Sequence, residues 1–334
     1  MNKILSVVIP TYNMEKYLKI CLDSFIYDDK AHDLEVLIVN DGSKDNSLKI
    51  AQEYETKYPN IFKVIDKENG GHGSTINAGL KVATGKYFKA VDADDWVDTK
   101  ELAKLLDYLK TADVDCVLTD FTFFYETNNS TKLIQWNECA PNQIINTNKS
   151  DLFSFSFHRS TFKTEKIRNI RLQEHCFYVD VEYNLYSYNT CDTFIYLPIN
   201  LYQYRLGRAG QSVSPEGLYK HRDNHFTVIK NIINFYLSIK ESTCQPKLKN
   251  IFDYSASIVQ SHYWYHNLMS FSHPEVLTEL AEFDKWLKSY PEYYQRAGEY
   301  KIAKKFRQNG FKKIFGQKAY YKLKQFVKKI LRKA

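Results

Sequence analysis

The feature that most constrains this chain is an alternation of two periodicities across its first third. Apolar runs of β type at residues 4–9, 34–39, 61–65 and 87–91 alternate with helical patterns at 15–25, 47–58 and 74–83. That order predicts an α/β fold in which a mostly parallel sheet is flanked by helices. Ligands of such folds lie beyond the carboxyl ends of the strands. Chemistry is therefore expected in three loops: Pro10-Thr11-Tyr12-Asn13, Asn40-Asp41-Gly42-Ser43 and Asp92-Ala93-Asp94-Asp95.

Further along, residues 114–119 and 121–125 read as one more strand, and the polar stretch 127–148 reads as a long surface excursion. Residues 151–214 mix aromatics with short patterns, and from Tyr219 onward Phe226, Ile229, Ile232, Ile233, Tyr236 and Leu237 recur at helical spacing. The expected organisation is a sheet domain over 1–215, a helical C-terminal subdomain over 216–300 and a tail over 301–334, with the boundary at Pro215-Glu216-Gly217. Cys21, Cys116, Cys139, Cys176, Cys191 and Cys244 form no CxxC pair, which argues for reduced thiols and against a zinc site or disulfide framework.

The third loop gathers three carboxylates at one strand end. Such crowding is unfavourable unless a cation compensates it, and hard divalent ions such as Mg²⁺ or Mn²⁺ take carboxylate and phosphate oxygens together. Asp92 and Asp94 are the expected metal ligands: an extended chain points them to one side, and a turn here would redirect either one. The competing reading is a strand-to-helix turn in which one acid caps a helix starting near Thr99.

The order of motifs decides between them. Ser6-Val7-Val8-Ile9-Pro10-Thr11-Tyr12-Asn13, Asn40-Asp41-Gly42-Ser43, Asn69-Gly70-Gly71 with Asn77-Ala78-Gly79, and Gly85-Lys86-Tyr87 leading into Asp92-Ala93-Asp94-Asp95 resemble the family 2 glycosyltransferases of GT-A fold. The resemblance implies a nucleotide-sugar site formed by Pro10, Thr11, Tyr12, Asn13, Asp41, Gly71, Asn77, Asp92, Ala93 and Asp94. A carboxylate such as Asp41 suits that site, since it can accept a hydrogen bond from a uracil imide. Many relatives carry Arg where this chain has Ile76, which leaves His72 or Lys89 as replacements. The catalytic base of relatives follows a Glu in a Glu-Asp pair. Here Val179-Asp180 stands in that place, so Asp180 is the expected base, with Glu182 and Glu174 as substitutes. The segment Leu201-Tyr202-Gln203-Tyr204-Arg205, continuing through Gly207-Arg208, resembles the stretch that follows the base in bacterial relatives. Arg205 and Arg208 are its candidates for the diphosphate, with His221 or His225 nearby.

The resemblance implies an inverting, metal-dependent hexosyltransferase-type enzyme that uses a UDP-sugar or similar donor. Its acceptor would be a hydroxyl of a surface polysaccharide or cell-wall glycan, carried on a lipid. Processive synthases of the family add membrane spans and a Gln-x-x-Arg-Trp string; neither is present, which predicts transfer of one or a few sugars per encounter. Two other classes stay open. A sugar-phosphate nucleotidyltransferase needs a similar sheet but begins with a Gly-rich basic loop, unlike Pro10-Thr11-Tyr12-Asn13. A catalytically silent nucleotide-sugar-binding protein fits the missing Arg and Glu.

Charge distribution speaks to location. The net charge is +7, with 46 basic and 39 acidic residues, yet the tail is rich in Lys and Arg and lacks acids, so the body is mildly acidic. Phe311, Ile314, Phe315, Tyr320, Leu323, Val327 and Ile330 fall at helical spacing in that tail, the pattern of a basic amphipathic helix on an anionic membrane surface. No apolar run reaches the roughly 20 residues that span a bilayer. The expected location is cytoplasmic, peripheral on the inner face of the plasma membrane. Nucleic acid is not an expected partner, since no binding fold accompanies the charge.

Overall fold

The computed structural model describes residues 3–27, 32–153, 155–208, 211–212 and 214–314. Two compact units make up the chain: residues up to 206 together with 244–247, and residues 207–243 together with those from 248 onward. The division at Leu206/Gly207 falls at the end of a long strand, ahead of Pro215.

The first unit is built on the expected strands β1 (Leu5–Thr11), β2 (Leu34–Asp41), β3 (Phe62–Lys67) and β4 (Tyr87–Ala90). They lie in the order β3-β2-β1-β4, all parallel. Buried on both faces, β1 reads as a continuous apolar run. Leu5, Val7 and Ile9 join a core with Leu18 and Leu22 of α1 (Leu18–Asp23) and Leu102, Leu105 and Leu109 of α4 (Thr99–Thr111). Val8 points the other way, against α3 (His72–Val82), where Gly79 leaves no room for a side chain over the Val8 methyl. A further helix, α2 (Ser47–Lys57), links β2 to β3. Pairing of β1 with β4 ends where Val91 N–H donates to Val8 O at 3.0 Å. Two residues on along the same edge stands Pro10, which has no N–H to leave unpaired.

Beyond β4 the sheet becomes mixed. It continues β4-β9-β6-β10-β5 through β5 (Trp96–Val97), β6 (Cys116–Tyr125), β9 (Ser160–Lys163) and β10 (Thr193–Leu206). β9 inserts antiparallel between β4 and β6. The stretch read as a surface excursion contains β7 (Ser130–Ile134), paired with β6, and β8 (Ile144–Asn146), paired with β10. The first helix begins at Leu18, later than its pattern suggested. α4 is capped by Asp98, whose carboxylate accepts from Lys100 N–H at 2.9 Å and Glu101 N–H at 3.0 Å. None of Asp92, Asp94 and Asp95 is needed as that cap. Two short helices complete the unit, α5 (Thr164–Ile167) and α6 (Asp180–Thr190).

The second unit is helical: α7 (Pro215–Lys220), α8 (Arg222–Ile239), most of α9 (Gln245–Met269), α10 (Val276–Leu287), α11 (Pro291–Glu299) and α12 (Lys301–Asn309). The periodic series of α8 is buried at Ile229, Ile232, Ile233 and Tyr236, and Val228 joins it. Leu237 is exposed, contrary to the pattern. The start of the basic tail departs from the membrane-helix reading. α12 buries Ala303 and Phe306 and stops at Gly310, whose left-handed φ of 68° ends the helix before Phe311. Arg307 of α12 donates to Asp284 at 2.7 Å and to the Tyr294 carbonyl at 3.0 Å, with its guanidinium 3.7 Å from the Tyr294 ring centroid. Residues 315–334, which carry most of the proposed membrane-facing series, lie outside the described residues. Among the described residues no helix is long and apolar enough to cross a membrane.

Candidate active site

Parallel pairing delivers the ends of β1, β2 and β4 to one edge of the sheet, so the three loops picked out in the sequence converge there. The first two are tied together. Asn13, with φ 55°, accepts from Lys44 N–H at 2.7 Å and gives its own N–H to Ser43 Oγ at 3.0 Å. Met14 N–H donates to Ser47 Oγ at 2.7 Å, and Glu15 N–H to Asp45 Oδ2 at 3.0 Å. Thr11 is buried, its hydroxyl donating to the Ile9 carbonyl, whereas Tyr12 is exposed beside it.

Asp41 is buried and its carboxylate is turned inward. It accepts from Gly70 N–H and Gly71 N–H at 2.8 Å each, from Lys67 Nζ at 2.8 Å and from Asn69 Nδ2 at 3.0 Å. These bonds fold residues 67–74 into a tight loop leading to α3, and Gly71 there takes φ 82°, a conformation open mainly to glycine. Both Asp41 carboxylate oxygens serve the loop, so Asp41 shapes the wall it lies in.

The acidic string is a turn, closed by Asp95 N–H donating to Asp92 O at 3.0 Å. A turn puts residues three apart on one side, where an extended chain would pair those two apart. Ligand-bearing atoms of Asp92, Asp95 and His158 accordingly lie within 4.8 Å of one another, and Asp94 is not in that group. Asp95 is buried; Tyr202 hydroxyl donates to it at 2.5 Å and Arg205 N–H at 2.7 Å. Burial, then the charges of Asp94 and Asp92, push its carboxyl well above the usual range. His158 goes the other way: burial lowers its imidazole to about 4, which keeps it neutral. Several acidic side chains crowded at one turn fit a divalent ion such as Mn²⁺ or Mg²⁺, which would offset their mutual repulsion. Ala93 faces the core, so its side chain takes no part.

Arg205 is largely buried. Its Nε donates to the Asp94 carbonyl at 2.8 Å, and its guanidinium lies 4.9 to 5.4 Å from the ring centroids of Trp96, Tyr17 and Phe124. Buried in that aromatic cage, it braces the acidic turn from below, because β10 pairs with β5 at Gln203 and Trp96. Lys89 is unsuited to a diphosphate: fully buried, it donates to the carbonyls of His158 at 2.9 Å and Ser160 at 3.2 Å, and burial lowers its ammonium to about 7. Arg208 and His221 fall in the second unit. His225 is buried inside that unit, hydrogen-bonded to His262 at 2.9 Å, and this removes it from the diphosphate candidates.

Asp180 opens α6, and the segment before it is held against α3. Asn77 donates to the Leu172 carbonyl at 3.0 Å and to Glu174 at 3.2 Å, and accepts from Leu172 N–H at 3.0 Å. Asn77 thus acts on this segment rather than standing open to the donor. His175 and Tyr178 both occupy the left-handed region, at φ 53° and 66°, strain of about 1–3 kcal/mol each that tends to collect at functional sites. Glu182 is buried and accepts from Gln173 N–H at 2.9 Å. The Asp180 carboxyl interacts with the charges of His72 and of Asp92 in the acidic turn. His72 Nε2 lies 2.8 Å from Asp92 Oδ1.

Asp92, His72 and Asp180 share one electrostatic environment. His72 and Asp92 are half-buried and Asp180 is exposed. For Asp180, crowding by protein raises the carboxyl, the His72 charge opposes this and the Asp92 charge adds to it. Burial alone would lower His72, but the charge and hydrogen bond of Asp92, with Asp180 and Asp94 behind, hold it above its usual value. His158, the residue that the sequence reading missed, is the one histidine between His72 and His175.

Comparison with known proteins agrees with this architecture. A family model described as glycosyl transferase family 2 matches residues 6–176. The minor teichoic acid biosynthesis protein GgaB of Bacillus subtilis is 31% identical over 173 residues, which cover 51% of this chain and 19% of that protein. The chain thus spans about a fifth of that relative's length. Among solved structures, S. aureus TarS 1-349 in complex with UDP-GlcNAc superposes with TM-score 0.62 at 19% identity over 92% of each chain. The mannosyltransferase PcManGT from Pyrobaculum calidifontis, in complex with GDP-Man and Mn²⁺, gives TM-score 0.50 at 17% identity, covering 92% of this chain and 87% of that one. At such identities the two structures speak to the fold.

Proposed function

Since the chain belongs to glycosyl transferase family 2, we propose that it transfers a sugar from a nucleotide diphosphate donor to a glycan hydroxyl in a single inverting displacement. The observation that carries this reading is the convergence of Asp180 and the acidic turn, with His72 between them, at the carboxyl edge of the parallel strands. Asp180 takes the proton from the attacking hydroxyl, a role its raised carboxyl suits because a stronger base is a better acceptor. The Gly70-Gly71 loop, shaped by Asp41, together with Thr11, Tyr12 and Asn13, forms the donor-binding wall. Asp92, with Asp94, would hold a divalent ion, and that ion, when bound, would neutralise charge on the leaving diphosphate. His72 keeps the Asp92 carboxylate oriented.

A UDP-sugar donor is supported by the UDP-GlcNAc complex of TarS, and a cell-wall or polysaccharide acceptor by the teichoic acid role in the name of GgaB. A lipid-linked acceptor and a peripheral position on the membrane rest on the basic composition of residues 301–334. The test is incubation of purified protein with a panel of nucleotide sugars and Mn²⁺, with and without chelator. Metal-dependent donor turnover for one UDP-sugar is the expected result. No nucleotide binding and no metal-dependent turnover for any donor would overturn the reading.

A further inference from the structure

We infer that Tyr204 and Phe123 form the seat of the acceptor and that this seat takes a pyranose, whose ring lies against Phe123 while one of its hydroxyls bonds the Tyr204 phenol. The inference rests on the glycosyl-transfer reading above and deepens it, by naming the acceptor class and a residue that selects it.

The last residues of β10 divide their duties sharply. Tyr202 hydroxyl and Arg205 N–H both go to Asp95, and the Arg205 guanidinium is held among Trp96, Tyr17 and Phe124. Tyr204 stands between these two in the chain, and its ring is fixed. It stacks on His158, with centroids 4.2 Å apart and an interplanar angle of 24°, and packs on Phe123 at 5.7 Å. Among the described residues its hydroxyl has no hydrogen-bond partner. A ring already held in place loses little freedom when its hydroxyl meets a ligand, which favours binding there.

Tyr204 also lies beside the reaction centre. A ring nitrogen of His158, on which it stacks, is within 4.8 Å of carboxylate oxygens of Asp92 and Asp95. Burial first, and then the charges of Asp95, Asp92, Asp94 and Asp180, raise its phenol, so the acidic turn and the base both act on this hydroxyl. The leaving diphosphate belongs to the turn and the attacking hydroxyl to Asp180. A group sensed by both stands where the two substrates meet.

From His158 the ring contacts lead through Tyr204 to Phe123. Tyr204 pairs with Phe123 across β10 and β6, and Phe123 pairs with Lys132 across β6 and β7. Phe123 and Tyr204 are half-buried and Lys132 is exposed, so the surface opens towards β7. A pyranose carries an apolar face of C–H groups and a rim of hydroxyls. A partly exposed phenyl beside an uncommitted phenol answers both features, whereas a phosphate offers no apolar face to the phenyl.

Saturation-transfer NMR on the full chain with UDP and Mg²⁺, using the methyl β-glycopyranosides of glucose, galactose and N-acetylglucosamine as probes, tests this. The expected result is that at least one glycoside binds through the C–H protons of one ring face. Its affinity should be about 2–10-fold lower in Tyr204→Phe, the effect of one lost hydrogen bond, and lower also in Phe123→Ala. UDP bound with no glycoside bound would overturn the inference and leave the glycosyl-transfer reading standing. Glycoside affinity unchanged in Tyr204→Phe would overturn it too, as would an equal fall in UDP affinity, which marks a disturbed turn rather than a lost acceptor contact. No binding of UDP to the unsubstituted protein would defeat the glycosyl-transfer reading itself and the inference with it. Should Phe123→Ala fail to fold, Tyr204→Phe still decides, since it keeps the ring and its stacking.

Discussion

Two aspartates with opposite surroundings show how side-chain chemistry is divided in this site. Asp180 is solvent-accessible but crowded, and its carboxyl is raised by that crowding and by the Asp92 charge. Asp180→Asn keeps the shape and removes the base. Turnover should fall by about 10²–10⁴-fold, the usual contribution of a general base, with UDP affinity within about twofold, measured by calorimetry and initial rates. Retained turnover would move the role elsewhere, although Glu182 and Glu174 are already engaged by Gln173 N–H and Asn77. Asp41 makes the opposite case, since its oxygens serve two backbone N–H groups, an amide and an ammonium. Asp41→Asn replaces one acceptor oxygen with a donor that faces other donors. At about 1.5–3 kcal/mol for a hydrogen bond to a charged group, UDP affinity should drop at least tenfold and thermal stability should fall as well. Unchanged UDP affinity would show that the loop holds its shape without Asp41.

At the level of elements, what was legible in the chain follows from which contacts are local. Strands β1 to β4 were readable because burial on both faces writes a continuous apolar run, and the loops after them were readable because parallel strands end together. The acidic turn was readable as a site but not in its geometry: the Asp95 to Asp92 hydrogen bond exchanges the spacing of an extended strand for that of a turn. His158 was invisible because it reaches the turn only through β9, which inserts antiparallel between β4 and β6, a pairing with no local signal. Arg205 was visible as a cation, but its burial depends on the pairing of β10 with β5. The join between α3 and the segment before Asp180 offers a test of such long-range registration. A Cβ on Gly73 would stand 2.3 Å from the Gln173 carbonyl oxygen, a backbone atom that cannot swing aside. Gly73→Ala should therefore push residues 172–174 away from α3 and carry Asp180 with them. The expected outcome is at least a tenfold loss of turnover, larger than the loss in UDP affinity. Equal losses in both would show that only the donor loop had moved.

On the scale of the whole molecule, the two units place their ionisable groups differently, and this decides how each responds to acid. The first unit gathers carboxylates at the acidic turn and at Asp180. The helical unit instead buries three histidines, His225, His262 and His266, none of them more than 4% exposed. His225 Nδ1 and His262 Nδ1 are 2.9 Å apart, so one donates and the other accepts, and Ser261 Oγ is 3.3 Å from His225 Nε2. His266 bonds the His262 carbonyl at 2.9 Å and lies 4.0 Å from Glu279, which Arg222 also holds, at 2.8 Å. Burial lowers His225 to about 3 and His266 to about 4, in each case below an ordinary value of 6.5, and lowers His262 strongly as well. The unfolded chain therefore takes up protons that the folded unit refuses. Stability from these groups is fully present above pH ~6.5 and is lost as pH falls from there towards about 3. Each histidine contributes about 1.4 kcal/mol of loss one unit below its unfolded value, so the slope should approach three protons near pH 5. Hydrogen exchange of α8 and α9 as a function of pH measures this without relying on global unfolding. Replacing the hydrogen-bonded pair together, by His225→Phe with His262→Phe, should remove about two protons from the slope and leave the remainder to His266. A slope unchanged by that double replacement would show that acid acts on the helical unit through its exposed ion pairs instead.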